Sequence, residues 1–241
     1  MQKTITVVVP VYNEEKDLPV NIPKLYFFLK DKMASYRWEI VIADNASIDK
    51  TPEVGKKLAQ KEGIRYLRIL QKGRGRALKK AWNTSKSDLL GYMDIDLSSD
   101  LSYFPKLIDS LEAGSDIAIG SRLAVGSKVY GRPLLREIMS RGYSLLFRIV
   151  FLTSFNDAQC GFKAVRKEVW DKISPAVRDT EWFFDSELLI IADKAGFKIS
   201  EIPITWRDDP RSTVKVAKTA WGDIKGLIRL FITRPWKKLK I

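Results

Sequence analysis

Apolar and polar positions alternate in blocks of two kinds along the first half of the chain. Ile5–Val11 is a β-branched run closed by Pro10, the pattern of a strand covered on both faces. Glu14–Met33 has helical spacing, with prolines near its start, where a missing N–H is better tolerated. Trp38–Ala43 predicts a second strand. Thr51-Pro52-Glu53 predicts a helix start, with Thr as N-cap, Pro at the first helical position and an acid in the first turn. That helix ends near Glu62-Gly63. Ile64–Leu70, Leu89–Met93 and Asp116–Gly120 predict further strands, with helices over Gly75–Thr84 and Tyr103–Ala113. Strands alternating with helices at this spacing predict an α/β domain with a mainly parallel sheet.

The rhythm changes after Arg122. Leu134–Thr153 has a helical pattern, and an irregular stretch follows as far as Asp157–Ala164. Glu181–Ala195 is strongly periodic and ends at Gly196. Lys198–Thr205 predicts a strand, and Thr213–Thr233 a last amphipathic helix stopped by Pro235. The chain has no internal repeat and no low-complexity segment. Residues 1–216 read as one catalytic-sized domain and 217–241 as a basic amphipathic helix and tail.

Composition narrows the chemistry. A chain that is 45% hydrophobic and 11% aromatic has enough apolar surface for a core, which excludes disorder. It has no His and one Cys. That excludes a disulfide framework, a structural zinc site and Ser-His or Cys-His catalysis. A catalytic metal must therefore sit on oxygen ligands, which favours magnesium or manganese. Lys+Arg outnumber Asp+Glu by 42 to 29, giving a net charge of +13. Residues 117–178 and 212–241 each carry net +7, so the excess lies in two blocks suited to an anionic membrane surface or a nucleic acid. The N-terminal run enters a strand directly, which predicts no cleavable leader. No segment approaches the ~18–20 apolar residues of a membrane span; the nearest, Tyr143–Phe155, contains Arg148.

Ligands of open parallel sheets sit beyond the carboxyl ends of the strands. Here three such ends carry acids: Tyr12-Asn13-Glu14-Glu15, Asp44-Asn45-Ala46-Ser47-Ile48-Asp49 and Asp94-Ile95-Asp96. In extended chain, Asp94 and Asp96 project to one side and can share a divalent cation that completes its shell with water and phosphate oxygens. Lys72-Gly73-Arg74-Gly75-Arg76-Ala77 is a basic, Gly-rich turn before a helix. It lacks the third Gly of a dinucleotide fingerprint and the Lys-Ser/Thr of a phosphate loop, yet a helix N-terminus of this kind can face phosphate.

These motifs, together with Gly73-Arg74-Gly75-Arg76-Ala77-Leu78, resemble the family 2 glycosyltransferases of GT-A fold. Three later stretches narrow the resemblance to the polyprenyl-phosphate branch, which includes the dolichyl-phosphate glucosyl- and mannosyltransferases. They are Asp157-Ala158-Gln159-Cys160-Gly161-Phe162-Lys163-Ala164, Trp182-Phe183-Phe184-Asp185-Ser186-Glu187-Leu188-Leu189 and Ile202-Pro203-Ile204-Thr205-Trp206. The resemblance implies a GT-A, Rossmann-like sheet flanked by helices, followed by the C-terminal amphipathic helix. It implies that Pro10, Tyr12 and Glu14 line the nucleotide pocket and that Asp44 meets the base or ribose. Asn45 and Arg74 join that nucleotide-sugar set. Asp94 and Asp96 would hold Mg2+ or Mn2+ and place the diphosphate. Arg122, after Gly120-Ser121, would meet phosphate, and Asp157, near the acceptor, would be a base or a structural anchor. Asp96, Arg122 and Asp157 thus form the expected catalytic set. Arg136, Arg207, Arg211 and Lys215 are the candidates for the acceptor phosphate. Ala46 and Ile48 depart from the family pattern, and Ser98 stands where many mannosyl members carry Gln.

The implied reaction is metal-dependent, inverting transfer of a hexose from UDP-glucose or GDP-mannose to a polyprenyl or dolichyl phosphate. It would take place at the cytoplasmic face of the membrane, with the protein bound peripherally. Arg141–Leu152 and Trp221–Lys240 are the stretches expected to touch lipid. Two other readings compete. A soluble saccharide acceptor would need a base, with Asp157 or Asp185 as candidates. A nucleic-acid-binding module would explain the basic blocks but not the acids at three strand ends, so no nucleic acid is expected as partner. Cys160 reads as a small buried side chain, and Trp206, Trp221 and Trp236 as core or interface residues.

Overall fold

A computed structural model describes residues 2–208 and 216–239. The chain runs β1 (Thr4–Val11), α1 (Leu18–Lys32), β2 (Arg37–Asn45), α2 (Thr51–Leu58), β3 (Ile64–Ile69), α3 (Arg74–Thr84), β4 (Leu89–Met93), α4 (Phe104–Glu112) and β5 (Ile117–Ser121). It continues β6 (Lys128–Tyr130), α5 (Leu134–Phe151), β7 (Phe162–Arg166), α6 (Lys167–Ile173), α7 (Phe184–Lys194), β8 (Ile199–Pro203), β9 (Thr205–Arg207) and α8 (Val216–Thr233). Seven strands form one sheet in the order β3-β2-β1-β4-β7-β5-β8, and β6 pairs with β9 in a separate ribbon. The α/β expectation therefore holds, with helices on both faces. One core gathers α3, α5, α6, α7 and α8 against the sheet, and the other gathers α1 and α4.

Three elements differ from the sequence expectation. The stretch read as irregular contains β7, which runs antiparallel between β4 and β5. Its sequence, Phe-Lys-Ala-Val-Arg, hides a strand because a lysine occupies a fully buried position. The single strand expected over Lys198–Thr205 is two: β8 stays in the main sheet, while β9 leaves it at Ile204 to pair with β6. Thr51 begins α2 without capping it; its hydroxyl accepts the Glu14 N–H at 2.7 Å and ties the loop after β1 to α2.

Strand β1 outruns its pairing with β4, which ends at Val8↔Tyr92, while its pairing with β2 continues to Val11↔Asp44. The sheet therefore opens between the carboxyl ends of β1 and β4. Consecutive strands lie on opposite sides of that point, so this is the crevice where such sheets bind ligands. The last helix packs through Leu227, Leu230 and Gly226, with no room for a side chain at 226 beside Phe183. Among the described residues, no helix is long and apolar enough to cross a membrane.

Candidate functional site

Two loops at the open edge are stitched to each other. Asn13 donates its N–H to Ser47 Oγ at 3.0 Å, and Ile48 donates its N–H to Asn13 Oδ1 at 3.0 Å. Asn13 and Ala46 both sit in the left-handed region, at φ 57° and 61°. That conformation explains why Gly would be easier than Ala at position 46. Asp44 is 0% exposed and accepts from Ser47 N at 2.9 Å, Arg68 Nη1 at 3.1 Å and the Tyr66 hydroxyl. Its carboxylate thus faces protein donors and shapes the loop from behind. Asn45 is buried too and accepts from the Gly73 N–H, which fixes the start of α3. Pro10 is buried in β1, whereas Tyr12 is half-buried with the Lys72 ammonium 3.5 Å over its ring. Glu14 is half-buried on the same loop.

A cleft just beyond β4 is lined by Asp94, Asp96, Ser98, Ser99, Gly161 and Trp206. Both acids of the D-x-D pair reach it, and Asp94 is 44% exposed at its side chain. The Gly161 backbone presses on Asp94: a Cβ at 161 would overlap its carboxylate. Trp206 closes the cleft from β9, and its ring lies 5.6 Å from both the Arg122 and Arg132 guanidinium groups. Ribbon β6–β9 reaches the same place through Arg207 N–H to Ser98 O at 2.9 Å.

Arg122 and Asp157 form a buried bidentate pair. Arg122 donates Nε and Nη2 to the carboxylate at 2.8 Å each, and its backbone N–H adds a third bond at 2.9 Å. Burial by itself would raise the Asp157 carboxyl, but the Arg122 guanidinium holds it down at about 2. A carboxylate so committed is a poor proton acceptor. Burial pushes the Cys160 thiol up to about 12, which leaves it a small inert side chain.

Behind Asp94 lies an ionic cluster that sequence reading did not assemble. Arg74, the first residue of α3, donates Nη1 to Asp185 at 2.5 Å and Nη2 to Asp94. Asp185 also accepts from Lys163 Nζ at 2.7 Å and from the Tyr92 hydroxyl. Lys163 is 0% exposed; burial presses its ammonium well below the usual lysine range. Its three hydrogens have three acceptors, Asp185, Tyr92 Oη and the Cys160 carbonyl. Asp185 and Glu187 diverge from α7: Glu187 accepts from Arg178 N and Arg229 Nη2, both at 2.9 Å, and so anchors α8. Asp223 on α8 is 3% exposed and accepts from Gln159 Nε2 at 2.7 Å, while its other oxygen has no partner among the described residues. Burial, then the charge of Asp179, lifts the Asp223 carboxyl to about 7.

The family profile for glycosyl transferase family 2 matches residues 6–174. The chain belongs to glycosyl transferase family 2. Among its relatives is glycosyltransferase AglD of Haloferax volcanii, 32% identical over 98% of this chain and 38% of that protein. The dolichyl-phosphate beta-glucosyltransferase of Saccharomyces cerevisiae is 31% identical, covering 88% of this chain and 70% of its own. The dolichol-phosphate mannosyltransferase of Pyrococcus furiosus is 30% identical, covering 94% and 63%. The chain thus spans little more than a third of AglD and somewhat under two thirds of the Pyrococcus relative. In fold it resembles glucosyl-3-phosphoglycerate synthase of Mycobacterium tuberculosis, crystallised with Mn2+, UDP-glucose and phosphoglyceric acid. That match has a TM-score of 0.72 at 17% identity and covers 95% of this chain and 80% of the other.

In this family 2 chain, two of the arginines expected at the acceptor phosphate, Arg136 and Arg207, lie at ribbon β6–β9. Arg136 pairs with Asp208 at 3.1 Å, and the exposed Arg207 stacks its guanidinium 4.8 Å over Tyr130. Arg211 and Lys215 lie outside the described residues. The residues that sequence reasoning left out of the site are Lys163, Trp206 and Asp223; Asp185 was offered only as a base for a soluble acceptor. Lys163 had one available signal, a charged residue at an alternate position of a five-residue apolar run. Asp223 had none beyond being the single acid of a basic helix.

Proposed function

We propose that this chain moves a hexose from a nucleotide sugar to a polyprenyl or dolichyl phosphate at a membrane surface. The observation that carries the reading is the cleft beyond the end of β4, which Asp94 and Asp96 both line and whose Trp206 ring lies against Arg122 of the Arg122–Asp157 pair. The family, and the dolichyl-phosphate names of several relatives, support the acceptor class.

The residues fit a hard divalent cation, Mg2+ or Mn2+. Two carboxylates reach one cleft, and such ions take one or two carboxylates and draw the rest of their shell from water and phosphate. The ion would neutralise charge on the departing diphosphate. The Tyr12–Glu14 loop, ordered by Asp44 and Asn45, cradles the base and ribose. Arg122, held in place by Asp157 as an anchor, stabilises phosphate charge, and Arg136 and Arg207 favour an anionic acceptor at the rim. The acceptor phosphate monoester arrives largely ionised, so the site must orient it and offset repulsion between two anions. No protein base is required, in keeping with Asp157 held at about 2. Attack in line with the departing diphosphate inverts the anomeric centre.

Lipid contact is assigned to α5 and α8. Leu134, Leu135, Ile138, Leu145 and Ile149 of α5 are exposed, as are Ile228, Phe231 and Ile232 of α8. Phe151 meets both Phe231 and Trp236, so the two helices lie side by side. Exposed Arg141, Arg148, Lys225 and Arg234 accompany these apolar side chains, a composition suited to the headgroup boundary. Thermal melts with UDP-glucose and GDP-mannose, each with Mn2+, test the donor site. A donor at 100 times its dissociation constant adds about 2.7 kcal/mol of apparent stability. No shift with any nucleotide sugar would overturn the reading.

A further inference from the structure

The cluster behind the cleft is balanced in charge and unequally exposed. Lys163, Asp185, Arg74 and Asp94 alternate in sign, and Asp94 alone of the four opens substantially to the cleft. Arg74 is held on one edge by buried Asp185 and across its faces by the Tyr92 and Trp182 rings, 5.3 and 5.1 Å away. Its other edge points at Asp94, one of the two acids offered to a cation. A guanidinium and a divalent ion cannot share that carboxylate without strong repulsion. A diphosphate arriving with the ion supplies the missing negative charge, and a guanidinium edge matches phosphate oxygens.

We propose that Arg74 exchanges partners during donor binding, guarding Asp94 in the metal-free protein and turning its Nη2 edge to the nucleotide's diphosphate in the loaded one. Asp185, fixed by Lys163 and Tyr92, is the pivot that keeps the guanidinium in place through the exchange. This rests on the reading of Asp94 and Asp96 as the metal–diphosphate site. It makes Arg74 a source of coupling between metal and nucleotide beyond the direct ion–phosphate contact: the ion alone competes with Arg74, and the ion with a diphosphate does not.

The test is Mn2+ binding to the full chain, followed by the electron paramagnetic resonance of free Mn2+, with and without saturating UDP or GDP. In the wild-type chain the nucleotide should tighten Mn2+ binding at least tenfold. Arg74→Met should bind Mn2+ alone severalfold more tightly and show that coupling reduced by a similar factor. Asp185 keeps Lys163 and Tyr92 in this variant, so the fold has support. Arg74→Lys, which keeps the charge but lacks the planar, two-edged guanidinium, should lie between. A purely structural Arg74 would instead weaken Mn2+ and nucleotide binding together. That parallel loss, or unchanged coupling in Arg74→Met, overturns the exchange while leaving the donor-site reading intact. A wild-type chain that binds neither Mn2+ nor nucleotide overturns both.

Discussion

A methyl group at position 161 would take the space now filled by the Asp94 carboxylate. Gly161→Ala should therefore leave a folded protein whose Mn2+–nucleotide stabilisation drops from about 2.7 kcal/mol at 100-fold saturation to under about 1 kcal/mol. Thermal melts with and without ligand read this directly. Asp223 offers a pH test. Between pH about 4 and about 7 the native carboxyl keeps a proton that the unfolded chain has lost, so stability falls as pH rises through that window. Asp223→Asn removes this loss. It should raise stability by about 1–3 kcal/mol at pH 8 and by little at pH 4, as measured by denaturant titration. Neither residue was legible beforehand. The Gly161–Asp94 approach and the Asp223–Gln159 bond join distant segments, and a single sequence carries no sign of which distant segments meet. The D-x-D pair was legible because both of its members lie within three residues of a strand end.

At the level of elements, the periodic segments were legible and the short polar-looking ones were not. β7 escaped notice because tertiary pairing on both sides, and acceptors for the Lys163 ammonium, override what five residues suggest. The last helix was legible as amphipathic, yet it carries apolar residues on two sides. Leu227 and Leu230 face the core, while Ile228, Phe231 and Ile232 stay outside. Deleting the helix would uncover the core, so substitution of its outer side is the cleaner probe. Ile228→Glu with Phe231→Glu should abolish co-sedimentation with anionic liposomes at low salt and leave the melting temperature within a few degrees. The wild-type binding should weaken with salt, since each Lys or Arg near an anionic surface contributes about 1 kcal/mol. Unchanged liposome binding in the double variant would remove α8 from the lipid-facing surface.

Across the whole molecule, the charge of +13 divides in the way the fold requires. The nearly balanced first half supplies β1, β2 and β4, with acids beyond their ends and Asp94 and Asp96 in the cleft, and the basic blocks supply α5, Arg122, Arg136 and α8. A chain without histidine suits a reaction whose nucleophile is already an anion, and the buried, low-lying Asp157 agrees. The fold was readable from the alternation of strands and helices, and the acids beyond the strand ends from their position. The places of β9 and α8 were read less fully, since each is set by partners distant in sequence: β6 for β9, and Gln159 and Glu187 for α8. The most direct measurement is the fate of a labelled hexose offered with Mn2+, a polyprenyl phosphate and a soluble saccharide in one mixture. The account predicts label in the organic phase as a hexosyl phosphate lipid, falling about 100-fold or more in Asp96→Asn. Label found only in the saccharide or as free hexose, with none in the lipid, would contradict it.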